Sequence, residues 1–173
     1  MKDNEKIEPQ ILEKYSILKK LGAGAYGHVW KAKSKATGSV VALKKIFDAF
    51  QHSTDAQRTF REISVLNQLK HHKIINLIEV MPSQNNQDIY LVFGYMESDL
   101  YHMIYDGKLQ PIHIKYLMYQ ILVGLNYLHV CKLIHRDLKP SNVLINSDCS
   151  VKICDFGLVR YLESATSDNN ILT

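Results

Sequence analysis

Residues 21–30 read LGAGAYGHVW, in which Gly22, Gly24 and Gly27 follow the spacing GxGxxG. The segments around them are rich in β-branched and apolar residues: YSILKKLG precedes the glycines, GHVWKAKS follows them, and SVVALKKI comes after a Thr-Gly turn. These three segments predict antiparallel strands joined by short turns. The glycines therefore lie in a turn of a sheet, where the missing side chains let a ligand approach the backbone.

The glycine spacing alone admits three interpretations. It fits an ordinary hairpin turn, a dinucleotide-binding loop of the Rossmann type, or a loop whose backbone N–H groups cover a nucleotide triphosphate. Asp48 favours a Rossmann loop, because it lies near the position where such a loop has its ribose-binding acid. A Rossmann loop also needs a helix that begins at the third glycine. The residues after Gly27, HVWKAKS, predict a strand, so no helix N-terminus is available for a pyrophosphate. The rest of the chain has to decide between the hairpin and the nucleotide loop.

The remaining sequence changes character part-way along. The segment TDAQRTFREISVLNQL predicts a helix, with Thr54 and Gln57 at the spacing of a capping box, and the strand-like runs NLIEVM and DIYLVF follow it. Next, HIKYLMYQILVGLNYLHV repeats apolar residues at helical spacing, before the short runs NVLI and VKIC. This order predicts a flexible tail (1–14), an α+β lobe (15–96) and a largely helical lobe (97–173). The apolar faces expected for the two helices are Phe60, Ile63, Leu66 and Leu69 in the first and Ile114, Leu117, Ile121, Leu125 and Leu128 in the second.

The composition is that of a globular protein. The chain has 173 residues, of which 46% are hydrophobic, enough to bury the core of one domain or two small lobes. Lys and Arg (21) exceed Asp and Glu (17) but are mixed with them, so we expect neither nucleic acid nor a membrane as a partner. The cysteines Cys131, Cys149 and Cys154 lack metal-type spacing, which predicts reduced thiols in the cytoplasm or the nucleus.

Further motifs follow the glycine segment in a fixed order. VALK ends at Lys44 on the third predicted strand, HRDLKPSN (135–142) follows the long apolar helix, and DFG (155–157) comes after VKIC. Each short motif is weak evidence alone, whereas their joint occurrence in this order is very specific. They form the signature set of the protein kinases through the DFG, which selects the nucleotide loop among the three interpretations.

The chain thus resembles the eukaryotic protein kinases over residues 15–173. Within them, KKIFDAF, TDAQRTFREI, SDLYHMI, KPSNVLIN and VKICDFGL resemble the mitogen-activated protein kinases, and KKIFDAFQHSTDAQRTFREI is most similar to their atypical branch related to extracellular signal-regulated kinases. The resemblance implies an α+β, bilobal, protein kinase-like fold. It comprises a complete N-lobe, with a five-stranded antiparallel sheet and one helix, and the first part of the helical C-lobe, ending inside the activation segment. The implied activity is transfer of the γ-phosphoryl group of ATP to protein Ser/Thr hydroxyls in intracellular signalling.

The resemblance also implies the catalytic groups. Lys44 would hold the α and β phosphates and pair with Glu62, in FREI on the first long helix. Asp137 would accept or orient the proton of the substrate hydroxyl. Lys139 matches the lysine that neutralises the γ-phosphate in kinases acting on serine and threonine, so Ser/Thr substrates are favoured.

The implied cofactors are ATP and Mg²⁺, with Asn142 and Asp155 as the oxygen ligands of the metal. Phe93 falls at the gatekeeper position and Asp99 at that of a ribose-contacting acid. Gly94 departs from the acidic residue common in the family; because its carbonyl is the expected adenine contact, we expect binding to survive with a looser hinge. The residues expected around the nucleotide are Leu21, Gly22, Ala23, Gly24, Ala25, Tyr26, Gly27, His28, Val29, Ala42, Lys44, Phe93, Gly94, Met96, Asp99 and Leu144.

Two further features follow from the same resemblance. A hydrophobic spine would tie the first long helix to the DFG through Leu66, Leu77, His135 and Phe156. Cys154 would border the nucleotide site, where it is either a thiol open to electrophilic ligands or a buried, inert cysteine.

Regulation is expected to depend on four arginines. Arg58, Arg61, Arg136 and Arg160 match cationic positions that converge on a phosphorylated threonine in the family. Thr173 aligns with the threonine of the Thr-x-Tyr activation motif, which an upstream kinase or autophosphorylation would modify.

Two classes of function stay open. The first is an active MAP-kinase-like Ser/Thr kinase, whose partners are ATP and protein substrates. The sequence lacks an Ala-Pro-Glu motif and the later C-lobe helices. The second class is therefore a truncated, catalytically inactive nucleotide-binding or regulatory fragment of such a kinase.

Overall fold

The structure is a computed structural model that describes residues 7–24, 27–107 and 109–162. A three-residue 3₁₀ turn covers Pro140–Asn142. The helices are α1 (Pro9–Lys14), α2 (Ser53–Gln68), α3 (Leu100–Tyr105) and α4 (Pro111–Val130), and the strands are β1 (Tyr15–Gly24), β2 (Gly27–Ser34), β3 (Val40–Ile46), β4 (Leu77–Pro82), β5 (Ile89–Gly94), β6 (Ser98–Asp99), β7 (Leu133–Ile134), β8 (Val143–Ile145), β9 (Val151–Ile153) and β10 (Arg160–Tyr161).

The first lobe is built on one antiparallel sheet with the strand order β1-β2-β3-β5-β4. Its register places Val29 opposite Lys44 and Ala42 opposite Phe93. Residues directly opposite each other share a face of the sheet, as do residues two apart on a strand, so these four side chains lie on one face. The apolar side chains of β5 are buried from end to end, because the sheet is covered on both faces there.

The first long helix, α2, is confirmed, but the face that it buries differs from the prediction. Phe60 is 71% exposed, because the helix turns Thr59 and Glu62 inward instead. A count of apolar residues does not anticipate that a threonine and a glutamate are buried. The capping box of Thr54 and Gln57 is also wrong: the helix begins at Ser53, after His52, which makes no side-chain cap. The buried residues of α2 are Thr59, Glu62, Val65 and Leu66.

The prediction of a flexible tail over residues 1–14 differs from the structure wherever the tail is described. Helix α1 fully buries Ile11, in the apolar cluster on the sheet face opposite Lys44. Glu8, just before the helix, accepts a hydrogen bond from the backbone N–H of Gln84 at 2.9 Å. Packing and hydrogen bonds therefore hold this segment against the sheet. The first part of the tail, residues 1–6, lies outside the described residues.

The second lobe packs α4 against a small sheet of β6, β8 and β9. Leu117, Ile121 and Leu128 are buried as predicted, whereas Ile114 is 49% exposed at the start of the helix. Helix and sheet approach closely at Gly124, where an added Cβ atom would lie 2.9 Å from the side chain of Ile153.

The predicted α+β fold with its five-stranded antiparallel sheet is confirmed. Among the described residues, no helix combines the length and apolar character needed to cross a membrane.

Candidate active site

Mostly apolar side chains from both lobes line a cavity of about 320 Å³, called here the apolar slot. The sheet forms one wall, because the register described above places its lining side chains on one face. Ile75 also lines the slot and was not predicted; the apolar pair Ile74–Ile75 signals burial but not which cavity it faces. The lining residues that the sequence predicted as nucleotide contacts are Leu21, Val29, Ala42, Lys44, Phe93, Gly94, Met96 and Leu144.

A second, more polar cavity of about 390 Å³ adjoins the slot and shares Val29, Lys44, Glu62 and Asp155 with it. It extends beneath the glycine-rich turn to Asp137. The structure thus brings an apolar slot and a charged space together under one glycine turn, which is the division that a nucleotide with an apolar base and charged phosphates requires. Two predicted residues of the turn, Ala25 and Tyr26, lie outside the described residues. The predicted glycines that line this second cavity are Gly24 and Gly27.

Gly27 cannot be replaced without moving the neighbouring strand. An added Cβ atom there would lie 2.0 Å from the carbonyl oxygen of Lys45 on β3. By contrast, added Cβ atoms at Gly22 and Gly24 would meet no heavy atom within 4 Å among those described. The third glycine therefore allows close strand contact, while the first two leave open space above the cavity.

Lys44 and Glu62 form an ion pair between β3 and α2. The lysine Nζ lies 3.2 Å from Oε2 of the glutamate, whose side chain is only 8% exposed. Burial works to lower the pKa of Lys44, but the carboxylates of Glu62 and Asp155 outweigh it, and the pKa is raised. Lys44 is therefore a fixed positive charge at the boundary between the two cavities.

Asp137, Lys139 and Asn142 form a hydrogen-bonded cluster on the opposite side of the polar cavity. Lys139 Nζ donates to Asp137 Oδ2 at 2.9 Å, while Asn142 Nδ2 donates to the backbone oxygen of Asp137 at 2.8 Å and to Oδ2 at 3.1 Å. The 3₁₀ turn brings Asn142 back toward Asp137. The hydrogen bond from Lys139 lowers the pKa of Asp137, so its carboxylate is ionised. An ionised carboxylate can accept a hydrogen bond from a hydroxyl group.

Asn142 and Asp155 fit the role of magnesium ligands. The amide nitrogen of Asn142 is used by Asp137, which leaves the amide oxygen for a cation. Asp155 is exposed to the cavities and has a left-handed backbone, φ 63°. The described residues contain no cluster of three or more His, Cys, Asp or Glu side chains suited to a metal. Mg²⁺ does not need such a cluster, because it is usually held by one or two carboxylates together with substrate phosphates and water.

His135 connects the catalytic loop to the strand before the DFG. Its ring lies edge-on to Phe156, with centroids 5.1 Å apart. Nδ1 accepts the backbone N–H of Asp137 at 3.3 Å, and Nε2 lies 2.9 Å from the carbonyl oxygen of Cys154. The predicted spine residues Leu66 and Phe156 are buried in the same apolar cluster, which Leu77 joins partly buried.

Comparison with known proteins agrees with this geometry. The family model described as "Protein kinase domain" matches residues 15–173. The chain belongs to the protein kinase family. Its predicted resemblance to the mitogen-activated protein kinases is confirmed by its relatives.

The curated relatives include proteins named as MAP kinases. The chain is 53% identical over 174 residues to "Extracellular signal-regulated kinase 2" of Dictyostelium discoideum, covering 98% of this chain and 47% of that protein. It is 52% identical over 164 residues to "Mitogen-activated protein kinase 15" of Xenopus laevis, covering 94% and 28%. For "Mitogen-activated protein kinase mpk-1" of Caenorhabditis elegans, the identity is 45% over 175 residues, covering 98% and 39%. The chain spans less than half the length of these relatives.

Three arginines of the kinase chain lie within electrostatic reach of a fourth, Arg61. The pKa of Arg61 is lowered by burial and by the positive charges of Arg160, Arg136 and Arg58. Arg61 Nη1 donates to the carbonyl oxygen of Gly157, in the DFG, at 2.7 Å. Mutual repulsion of this kind makes the cluster favourable for an anion.

Arg136 fixes the segment that follows the DFG. Its Nε donates to the carbonyl oxygen of Leu158 at 2.7 Å, and its backbone is left-handed, with φ 65°. Thr173, the expected phosphorylation site, lies outside the described residues.

The surroundings of His28 and Cys154 bear on their predicted places beside the nucleotide. The ring of His28 packs edge-on against Trp30 and Phe47, on the face of β2 opposite Val29, so its side chain points away from the apolar slot. Cys154 lines the slot, but burial raises the pKa of its thiol to about 12, aided by Asp155 and Glu62. Because the thiolate is the nucleophile, this favours the inert cysteine of the two interpretations.

The hinge between the lobes runs past Gly94 and Met96. The backbone N–H of Gly94 donates to the carbonyl oxygen of Asn76 at 3.0 Å. An added Cβ atom at Gly94 meets no described heavy atom within 4 Å, so the acidic residue common in the family would also fit there. Asp99 follows the hinge in β6 and pairs in register with Leu144 of β8.

Proposed function

We propose that this chain is the nucleotide-binding and phosphoryl-transferring part of a serine/threonine protein kinase of the MAP-kinase type. The observation that carries the proposal is that the Lys44–Glu62 pair and Asp137, which Lys139 and Asn142 hold by hydrogen bonds, line one polar cavity beside an apolar slot. The names of the MAP kinase relatives support the same class.

ATP and Mg²⁺ are the proposed cofactors. The apolar slot accepts the adenine, with Val29 and Ala42 on one side and Leu144 on the other. Lys44 binds the phosphates, and Asn142 and Asp155 hold the metal. When bound, Mg²⁺ neutralises charge on the phosphate oxygens during transfer.

Asp137 receives the substrate in this proposal. Its carboxylate accepts a hydrogen bond from the serine or threonine hydroxyl and orients the oxygen toward the γ-phosphate. Lys139 donates to the same carboxylate and places a positive charge where negative charge spreads during transfer.

The arginine cluster is the proposed receiver of an activating phosphate. A phosphate on Thr173, added by an upstream kinase or by autophosphorylation, would accept guanidinium hydrogen bonds and relieve the repulsion that lowers the pKa of Arg61. We place this activity in the cytoplasm or the nucleus. The partners are proteins, rather than nucleic acid or membranes, as the mixed surface charge favours.

A second candidate is a nucleotide-binding fragment that does not transfer phosphate. It is favoured by the apolar surface that α4 leaves open: Ile112 is 66% exposed, Tyr119 65%, Leu122 57% and Val130 70%. Such a surface usually marks a missing neighbour. A fragment of this kind transfers phosphate only when another protein segment covers α4.

Transfer of labelled phosphate from ATP·Mg²⁺ to a generic Ser/Thr substrate tests the two candidates. The 173-residue chain is compared with Asp137→Asn, and a nucleotide-dependent thermal shift is recorded for both. Loss of transfer by about 100-fold or more in the variant, with the thermal shift retained, supports the kinase. A thermal shift without any transfer supports the binding fragment, and the absence of both contradicts the nucleotide site.

A further inference from the structure

His102 engages both oxygens of the Asp99 carboxylate. Asp99 caps α3, and its Oδ1 accepts the backbone N–H of His102 at 2.9 Å. Its Oδ2 lies 2.7 Å from Nδ1 of the His102 ring. The Asp99 side chain is 21% exposed and that of His102 is 67% exposed, so the ring is the solvent-facing partner of a largely covered carboxylate. The ring of Tyr101 packs edge-on against the imidazole, with centroids 5.7 Å apart.

This pair does not line the apolar slot itself, but Asp99 neighbours two residues that do. Asp99 is directly opposite Leu144 in the β6–β8 ladder, and Leu144 lines the slot. The Asp99 carboxylate is also close enough to Cys154, another lining residue, to contribute to the raised pKa of that thiol. A ribose attached to a base in the slot would leave it beside these residues, with its hydroxyls near Asp99.

We propose that His102 sets the affinity for ribose-containing nucleotides by competing with the ribose hydroxyls for Oδ2 of Asp99. The inference rests on the proposed nucleotide site. The backbone hydrogen bond to Oδ1 belongs to the helix cap and stays in place, so a ribose hydroxyl that approaches Oδ2 shares that oxygen with the imidazole. Removing the ring frees this oxygen without removing the carboxylate. His102 is therefore a positioning residue that acts through Asp99.

The test compares two nucleotides by isothermal titration calorimetry of the 173-residue chain. ATP·Mg²⁺ carries both ribose hydroxyls, and 2′,3′-dideoxy-ATP·Mg²⁺ carries neither. We expect His102→Ala to tighten ATP by about threefold to tenfold, the range of one net hydrogen bond, and to leave dideoxy-ATP unchanged. His129→Ala is the matched control, because His129 is likewise an exposed histidine but lies in the last turn of α4, on a different helix from the Asp99 cap.

Asp99→Asn provides an independent variant, since asparagine can still cap α3. It should weaken ATP and not dideoxy-ATP, and the further change His102→Ala should then have no effect. The inference is overturned if His102→Ala leaves ATP affinity unchanged or weaker, or if both nucleotides tighten equally. In those cases binding itself is intact and the proposed nucleotide site stands. If neither nucleotide binds the unaltered chain, both the proposed function and this inference are overturned.

Discussion

Lys44 and Lys45 are neighbours on β3, yet they face opposite sides of the sheet and meet different surroundings. The side chain of Lys45 is 7% exposed, and its Nζ lies 3.0 Å from Oδ2 of Asp88 and 3.6 Å from Oε1 of Glu8. The side chain of Lys44 is 34% exposed, and its carboxylate partner Glu62 leaves one side of the ammonium open to the polar cavity.

The contrast separates a structural lysine from a ligand-binding one. Two carboxylates and the rings of Tyr90 and Phe47 enclose Lys45, so its charge is compensated within the fold. Lys44 is oriented by a single carboxylate and can accept the additional negative charge of a phosphate. Adjacent residues of one type thus acquire different roles from the face of the sheet that they occupy.

The largest expected effect is on the enclosed lysine. Lys45→Met leaves Asp88 and Glu8 without their buried counterion, so the free energy of unfolding should fall by about 4 kcal/mol. Urea denaturation followed by circular dichroism measures this loss, with Lys33→Met, an exposed lysine on β2, as the control. A loss no larger than the control's would show that the enclosed pair does not stabilise the fold.

Lys44→Met should affect phosphoryl transfer more than stability. Phosphoryl transfer is expected to fall by about 100-fold to 1000-fold, because the phosphates lose their fixed positive charge. The free energy of unfolding should fall less than in Lys45→Met, because Lys44→Met leaves one carboxylate, Glu62, without its lysine partner, whereas Lys45→Met leaves two. Steady-state kinetics and urea denaturation on the same samples check both parts, and equal transfer rates in Lys44→Met and the unaltered chain would contradict the assignment.

The stability of the enclosed carboxylates around Lys45 should depend on pH. Burial opposes ionisation of Asp88 and Glu8, but hydrogen bonds and Lys45 outweigh it, so both pKa values are lowered in the folded chain from ordinary values of 3.8 and 4.5. Their contribution to stability is fully present above the ordinary values and is lost as the pH falls through the lowered ones. The unfolding temperature, measured from pH 7 to pH 3, should therefore fall less with acid in Lys45→Met than in the unaltered chain, because Asp88 and Glu8 lack the lysine there.

The smallest effect is expected at an exposed pair on the same face. Lys14 of α1 contacts Glu79 of β4, with side chains 56% and 29% exposed. Lys14→Gln should lower the free energy of unfolding by about 0.5 kcal/mol, because water already solvates both groups and the hydroxyl of Tyr15 still donates to Glu79. A loss comparable to that of Lys45→Met would show that enclosure does not govern the strength of these pairs.

The difference between the two faces also explains what the sequence could predict. Lys44, Glu62, Asp137 and Asn142 lie in short motifs whose order identifies the family, so the sequence predicts the residues around the two cavities one by one. The opposite face of the sheet, around Lys45, has no such motif. Lys45, Asp88 and Glu8 are far apart in sequence, and only tertiary packing brings them together.

The local errors have the same origin. Helix α1 is too short for a periodic signal, and its position depends on burying Ile11 against the sheet. The ring of His28 points away from the apolar slot because side chains alternate along β2, although the glycine spacing grouped it with the nucleotide contacts.

The proposed function requires the Lys44 face of the sheet to bind the nucleotide. Amide chemical shifts of the ¹⁵N-labelled chain, recorded while a non-hydrolysable ATP analogue and Mg²⁺ are added, show which residues meet the ligand. We predict saturable changes at Gly24, Gly27, Met96 and Asp155 and much smaller ones at Asp88. Changes centred on Asp88 and its neighbours, or no change at millimolar nucleotide, would contradict the account.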